Sequence, residues 1–166
     1  MVNYAPGAPW PIGNDDYISI QRLIHRYSDA VVHRDAEQWA SCWADDAQWD
    51  LGRGRLVHGK PAIVELWTKA MGGMEAVVQM VHNGEVWQGA TPDTASGRWY
   101  IDERFRRASG ESAILLAHYS DDYVRTPAGW LFSNRLLCIH YQGAPDLSAE
   151  FHNTAEKLAG REVTDA

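Results

Sequence analysis

Cysteine is scarce in this chain: Cys42 and Cys138 are the two in 166 residues. Neither belongs to a CxxC or a Cys/His ligand spacing, so a disulfide scaffold and a zinc-binding module are excluded, and reduced, buried thiols are expected. No apolar run approaches the ~20 residues that span a bilayer. Residues 1–14 carry Pro6, Pro9 and Pro11 but lack the basic and apolar regions of a secretory signal. Basic residues number 15 against 22 acidic, a formal charge of −7, which argues against a nucleic-acid or anionic-membrane surface. Compact site motifs are missing as well. There is no HExxH, no P-loop, no GxGxxG after a strand and no GxSxG elbow. Gly52-Arg53-Gly54 is too short to cradle a phosphate. Metal, nucleotide and serine-nucleophile chemistries lose their support. What remains is acid–base chemistry by Asp, His and Tyr, with no cofactor, in a cytoplasmic protein.

What the chain has is apolar mass and tryptophan. Hydrophobic residues make up 45% of it, including eight tryptophans, enough for one domain with a sizeable core. The tryptophans are either core and interface anchors or, in part, the lining of an aromatic pocket. Asp16 to Asp35 reads as an amphipathic helix, with Ile20, Leu23, Ile24, Tyr27, Ala30 and Val31 on one face. Asn14, Asp15 and Asp16 offer cap oxygens at its start. Asp35 followed by Gln38 has the form of a capping box opening a second helix to about Asp45. Short strands follow at Ala47–Leu51 and Arg55–His58, then a third helix from Gly59-Lys60-Pro61 to Gly72-Gly73.

The period then changes to two. Val77–Gln88, Gly97–Arg107, Ser112–Arg125 and Trp130–Tyr141 read as four antiparallel strands joined by turns. Helices first and a meander afterwards predict an α+β fold with helices packed on one face of a sheet. The domain spans 16–142, between an N-terminal arm (1–15) and a C-terminal tail (143–166) with a helical look around Asn153 to Leu158. In the last strand, alternation places Leu131, Ser133, Arg135, Leu137 and Ile139 on one side and Trp130, Phe132, Asn134, Leu136 and Cys138 on the other. Arg135, amid apolar neighbours, is either a solvated or ion-paired structural residue or a binder of an electron-rich ligand group. His82 is either a hydrogen-bonded core residue or a catalyst.

Several segments, in order, resemble the SnoaL-like branch of the nuclear transport factor 2-like superfamily. They are Ser19–Asp29, His33-Arg34-Asp35, Trp43–Trp49, Val57–Lys60, Val81–Gly84, Tyr119–Arg125 and Gly129–Arg135. The resemblance covers about Asp16 to Tyr141 and implies a cone-shaped α+β barrel with a curved, mostly antiparallel sheet. Within the branch the chain is similar to hexachlorocyclohexane dehydrochlorinase, scytalone dehydratase and bile-acid dehydratases. Those enzymes use a carboxylate–histidine dyad in a cavity, and by position their acid matches Asp35 and their histidine His82. Cavity residues of the dehydrochlorinase match Arg135, Trp49 and Tyr119. The resemblance departs at Arg34, where the dehydratase has a tyrosine, and at Ala30, where the dehydrochlorinase has a lysine.

The resemblance implies a cofactor-free lyase or isomerase acting on a hydrophobic cyclic small molecule. His82 would abstract a proton from carbon and Asp35 would orient its ring. Arg135 or Tyr119 would stabilise developing charge, and Trp49, Tyr119 and Leu137 would line the cavity. Tyr27 and Tyr119 are the candidates for polarising a carbonyl. A non-catalytic ligand carrier and a structural subunit like the small subunit of ring-hydroxylating dioxygenases are the alternatives. Sheet edges and surplus tryptophan lead us to expect a homodimer or homotrimer.

Overall fold

The computed structural model describes residues 12–52 and 54–152. Most of the expected N-terminal arm, Arg53 and the tail helix expected around Asn153 lie outside them. The elements in chain order are α1 (Asn14–His33), α2 (Ala36–Ala40), β1 (Trp43–Asp50), β2 (Leu56–His58), α3 (Lys60–Gly72), β3 (Met74–Gln88), β4 (Thr94–Arg107), β5 (Ser112–Thr126) and β6 (Gly129–Gly143). The class is the expected α+β. One six-stranded sheet runs β2-β1-β6-β5-β4-β3. It stays open, with β2 and β3 as its edges, and does not close into a barrel.

α1 buries the predicted stripe, Ile20, Leu23, Ile24, Tyr27, Ala30 and Val31, with Ser28 added. Its start differs from expectation. Gly13 is the cap residue and no side chain caps the helix. The Asp16 carboxylate accepts bonds from Arg125 (2.7 Å) and from the Trp130 indole (3.0 Å) instead. The neighbouring Arg125 guanidinium holds the Asp16 carboxyl below its usual range. The tertiary partners won over the local cap. At the other end Arg34 takes a left-handed conformation with φ of 56°, which closes the helix and turns the chain toward Asp35.

α2 is a single short turn of helix, and the strand after it starts at Trp43, not Ala47. Trp39, Cys42 and Trp43 are still buried as expected, Trp39 from the helix and Trp43 from the strand. Neither Cys42 nor Cys138 forms a disulfide, and both are buried. Burial pushes the Cys42 thiol up to about 11, so it stays protonated.

β1 lies parallel to β6, a pairing absent from a simple meander, and sets Trp49 beside Arg135. All other strand pairs are antiparallel. Register shifts interrupt β3 between Val81 and Gly84, and β5–β6 between Asp122 and Tyr123. Bulges of this kind bend a strand and re-aim side chains. In the second, Ser133 is the extra residue, since Asp122 pairs with Asn134 and Tyr123 with Phe132. Strict alternation therefore fails there. Phe132 joins the face of Arg135, whose guanidinium carbon lies 3.9 Å from the Phe132 ring centre. At the first shift Gly84 meets Trp99 so closely that a Cβ would overlap the indole.

On the face of the sheet opposite α1, His118 and His140 approach to 2.8 Å between ring nitrogens, beside Tyr100. Burial, followed by the charges of His140 and Arg98, draws His118 down to about 4. Burial also lowers His140. Both rings are therefore neutral at pH 7. As pH falls below the ordinary histidine value of 6.5, the unfolded chain takes up its proton first, and stability is lost down to about pH 4. The loss from His118 amounts to about 3 kcal/mol at most. We expect His118→Gln to flatten this acid limb when urea midpoints are compared at pH 7 and pH 4.5.

Candidate functional site

The core face of the sheet carries a polar row inside an otherwise apolar surface. On β3, Gln79 lies between Val77 and Val81; on β4, Glu103 lies between Ile101 and Phe105. Register sets Gln79 opposite Glu103, and Glu103 opposite Leu115 of β5. The Gln79 amide nitrogen donates to the Glu103 carboxylate at 2.7 Å and lies 3.4 Å from the Tyr119 hydroxyl. Gln79 is 4% exposed, and its amide oxygen has no partner. Glu103 keeps some accessible surface, although its two neighbours along the strand, Ile101 and Phe105, are core residues. Burial raises its carboxyl above the usual range, against the lowering effect of the Gln79 bond.

The next residues along the same face complete the constellation. Tyr119 pairs with Trp99 on one side and Leu137 on the other. Tyr27 reaches across from α1, and its ring centre is 5.9 Å from that of Tyr119, edge to face. Burial raises both phenols, Tyr119 strongly. They remain protonated donors. Arg135 is wholly buried and forms a two-pronged bond to Asp121 at 2.8 and 2.9 Å. Its guanidinium carbon sits 4.2 Å from the Tyr27 ring centre and 3.8 Å from that of Tyr119. Burial disfavours its charge, but the Asp121 carboxylate outweighs that and holds Arg135 protonated. Tyr123 donates a further bond to Asp121 at 2.9 Å. One guanidinium nitrogen, Nη1, is buried without a partner.

The tryptophans close the other side. Trp39, Trp43 and Trp49 have ring centres 5.2 to 6.0 Å apart, and Trp39 stacks on Trp67 at 4.6 Å. The indole nitrogens of Trp39, Trp43, Trp49 and Trp99 are all buried without an acceptor.

Five of the expected site residues thus converge: Tyr27, Trp49, Tyr119, Arg135 and Leu137. The other two do not join them. Asp35 is exposed and its carboxylate accepts from the Gln38 backbone at 2.9 Å, capping α2. Its capping box is incomplete, because the Gln38 amide turns to Asp29 and the Arg26 carbonyl. His82 is exposed beside the bulge of β3. Three bonds show how far apart the two lie. α1 runs antiparallel to β3, with the Tyr17 hydroxyl on the Gly84 carbonyl (3.4 Å), Ser28 on Gln79 (2.7 Å) and Arg34 on Glu75 (2.6 Å). Asp35 follows Arg34 at the Glu75 end, whereas His82 sits next to the Gly84 end. The strand from Glu75 to His82 spans about 23 Å, beyond the reach of two side chains that must meet within hydrogen-bonding distance. The expected dyad is not assembled. A position match carried both residues into the dyad; the alternative reading of Asp35 as the cap of the second helix is the one seen here, and the strand bulge beside His82 was not anticipated.

Gln79, Glu103 and Asp121 were missed, and the signal for each was present. Each is a polar residue at period two between apolar ones: Val77-Gln79-Val81, Ile101-Glu103-Phe105 and Tyr119-Asp121-Tyr123. Among the described residues no group of three His, Cys, Asp or Glu side chains could hold a metal. No described helix is long and apolar enough to cross a membrane. An open depression of about 600 Å³ lies elsewhere, lined by Val78, Ile114, Leu116, Leu147, Arg104 and Arg106 among others.

A curved open sheet wrapped on N-terminal helices, with aromatic and polar groups on its core face, is the architecture of the nuclear transport factor 2-like superfamily. Residues 15–136 match the profile of the SnoaL-like domain, and the chain belongs to that family. Uncharacterized proteins of Mycobacterium tuberculosis and Mycobacterium bovis are 27% identical over 124 residues, covering 73% of this chain and 83% of each relative. Among solved structures, a type 2 hexachlorocyclohexane dehydrochlorinase is similar with a TM-score of 0.71 and 21% identity, over 78% of this chain and 88% of that one. A proposed scytalone dehydratase from Novosphingobium aromaticivorans has a TM-score of 0.74 and 18% identity, over 89% and 95%. A proposed aromatic ring hydroxylase from the same organism has a TM-score of 0.72 and 24% identity, over 89% and 99%. At these identities the likeness is one of fold.

Proposed function

We propose that the protein is a cofactor-free acid–base enzyme, a lyase of the dehydratase or dehydrohalogenase kind or an isomerase. Its substrate is a hydrophobic cyclic small molecule held between α1 and the core face of the sheet. The observation that carries this reading is the Tyr27–Tyr119 pair beside Arg135. Burial keeps both hydroxyls protonated, so both can donate to an oxygen on which negative charge develops. Donors fixed in a dry interior stabilise such charge far better than water does. Asp121 balances Arg135, so the site suits an uncharged molecule and not a carboxylate or phosphate. Trp49 and Leu137 supply the apolar wall. The reaction class is the one named for the dehydrochlorinase and the proposed scytalone dehydratase. Asp35 and His82 take no part in it.

A ligand carrier without catalysis is the second reading, and the separation of Asp35 from His82 favours it. Turnover distinguishes the two. A panel of uncharged alicyclic and aromatic ketones and alcohols is screened by thermal shift, and the binders are then assayed for loss of water or double-bond migration. On a converted compound, Tyr119→Phe should lower kcat by about 100-fold or more, the effect of deleting one such donor. Binding without conversion of any panel compound selects the carrier. Full kcat in Tyr119→Phe overturns the role given to the hydroxyl pair.

A further inference from the structure

We propose that Glu103 is the proton-transfer residue of this site, taking a proton from substrate carbon while Tyr27 and Tyr119 hold the substrate oxygen. The inference rests on the functional reading above and gives it the base that the Asp35–His82 pair does not provide.

Placement is the first argument. Glu103 stands on the core face between Ile101 and Phe105, where a charged residue is costly unless it is partnered or used. Its one partner among the described residues is neutral, the Gln79 amide. Among the described residues no arginine or lysine pairs with it, in contrast to Asp121, which is locked to Arg135. An ionised carboxylate offers about four acceptor positions, and the Gln79 bond uses one. The remainder are left for a proton.

Connection is the second argument. One nitrogen, Gln79 Nε2, lies 2.7 Å from the Glu103 carboxylate and 3.4 Å from the Tyr119 hydroxyl. Glu103 and the Tyr119 hydroxyl therefore flank the same amide nitrogen, and the Tyr27 ring lies edge to face on that of Tyr119. Glu103 is only half-buried, and in this proposal a substrate carbon approaches it from that side. Its raised carboxyl moves toward the working pH, as a general base requires.

The step balances without an oxidant or reductant. The Glu103 carboxylate takes the proton from the carbon next to a carbonyl. The C–H electron pair forms the C=C bond of an enolate, whose oxygen lies against the tyrosine hydroxyls. For isomerisation Glu103 returns the proton to the carbon two bonds further on. For dehydration it gives the proton to a β-hydroxyl, which leaves as water with the C–O pair.

The test uses 5-nitrobenzisoxazole, an uncharged planar ring compound that reports a buried carboxylate base without knowledge of the natural substrate. Loss of its C3 proton to the base forms a C≡N bond and breaks N–O, and the product phenolate carries away the pair and is coloured. The full-length wild-type protein should accelerate this reaction over an equal concentration of acetate, with a rate that rises with pH and then levels. Glu103→Gln should lower the rate by about 100-fold or to background. Folding is checked in parallel. A raised carboxyl is one the native state prefers protonated, so its ionisation costs stability as pH rises. Glu103→Gln should match or exceed wild-type thermal stability at pH 8, with the difference fading toward pH 4. A wild-type rate no higher than acetate, a flat pH profile, or an unchanged rate in Glu103→Gln overturns the assignment. If the probe reacts through Glu103 but no panel compound is converted, the functional reading fails and the base stands. If a panel compound is converted with equal kcat in Glu103→Gln, the reverse holds.

Discussion

Asp121→Asn is expected to destabilise the fold by about 3–5 kcal/mol, the cost of stripping a buried guanidinium of its counter-charge. Arg135 and Asp121 are both fully desolvated, at 0% and 1% exposure. Arg135 keeps its charge only because the carboxylate faces it with two bonds. The asparagine is nearly isosteric, so packing is preserved and the electrostatic loss is isolated. The rings of Tyr27, Tyr119 and Phe132 around the guanidinium offset part of that loss, each by about 1–2 kcal/mol at best. They cannot replace a formal charge. Replacing both partners with apolar residues, Asp121→Leu with Arg135→Met, should recover most of the stability, since a dry apolar pair avoids the desolvation cost. Urea unfolding at pH 7 checks both. A loss under 1 kcal/mol for Asp121→Asn would mean that the interior admits water, and the charge-stabilising role given to this region would weaken with it.

Trp39→Ala should cost a comparable amount, about 3–5 kcal/mol. Trp39 is 0% exposed. It stacks on Trp67 with planes 13° apart and meets Trp43, Trp49 and Tyr27 within 5.4 Å between ring centres. One side chain from a five-residue helix thereby ties α1, β1 and α3 together. Its indole nitrogen has no acceptor, so Trp39→Phe loses area but no hydrogen bond and should be much milder. Met80→Ala on the exposed face is the control, expected within about 0.5 kcal/mol of wild type. Equal losses for Met80→Ala and Trp39→Ala in urea titration would contradict the placement of the core.

Local pattern sufficed wherever one period and one burial direction governed a segment. The stripe of α1, the ends of α3 and the four long strands are legible that way, because apolar spacing and Gly or Pro punctuation decide them. The parallel β1–β6 pair was not legible, since it joins segments some 85 positions apart and nothing local encodes it. The face of Phe132 was misread because a single extra residue at Ser133 reverses alternation. The cap of α1 was misread because Arg125 and Trp130, more than a hundred positions away, claim Asp16. Of the expected site residues, Trp49, Tyr119 and Arg135 came from the family resemblance, with Tyr27 and Leu137 as further candidates, and the interior places these five near one another. Asp35 and His82 came by the same route and stand at opposite ends of the α1–β3 contact. Glu103 and Gln79 were readable as polar interruptions of an apolar period.

The claim on which the functional account depends is that substrate lies on the core face, against the two tyrosines. A crystal structure with a panel ketone that binds and is converted tests it directly. The account predicts the ketone oxygen about 2.7–3.1 Å from a hydroxyl of Tyr27 or Tyr119, with Glu103 on the side of the adjacent carbon. A ketone seated instead in the outer depression lined by Val78, Ile114, Leu116 and Leu147, or beside His82, would contradict it.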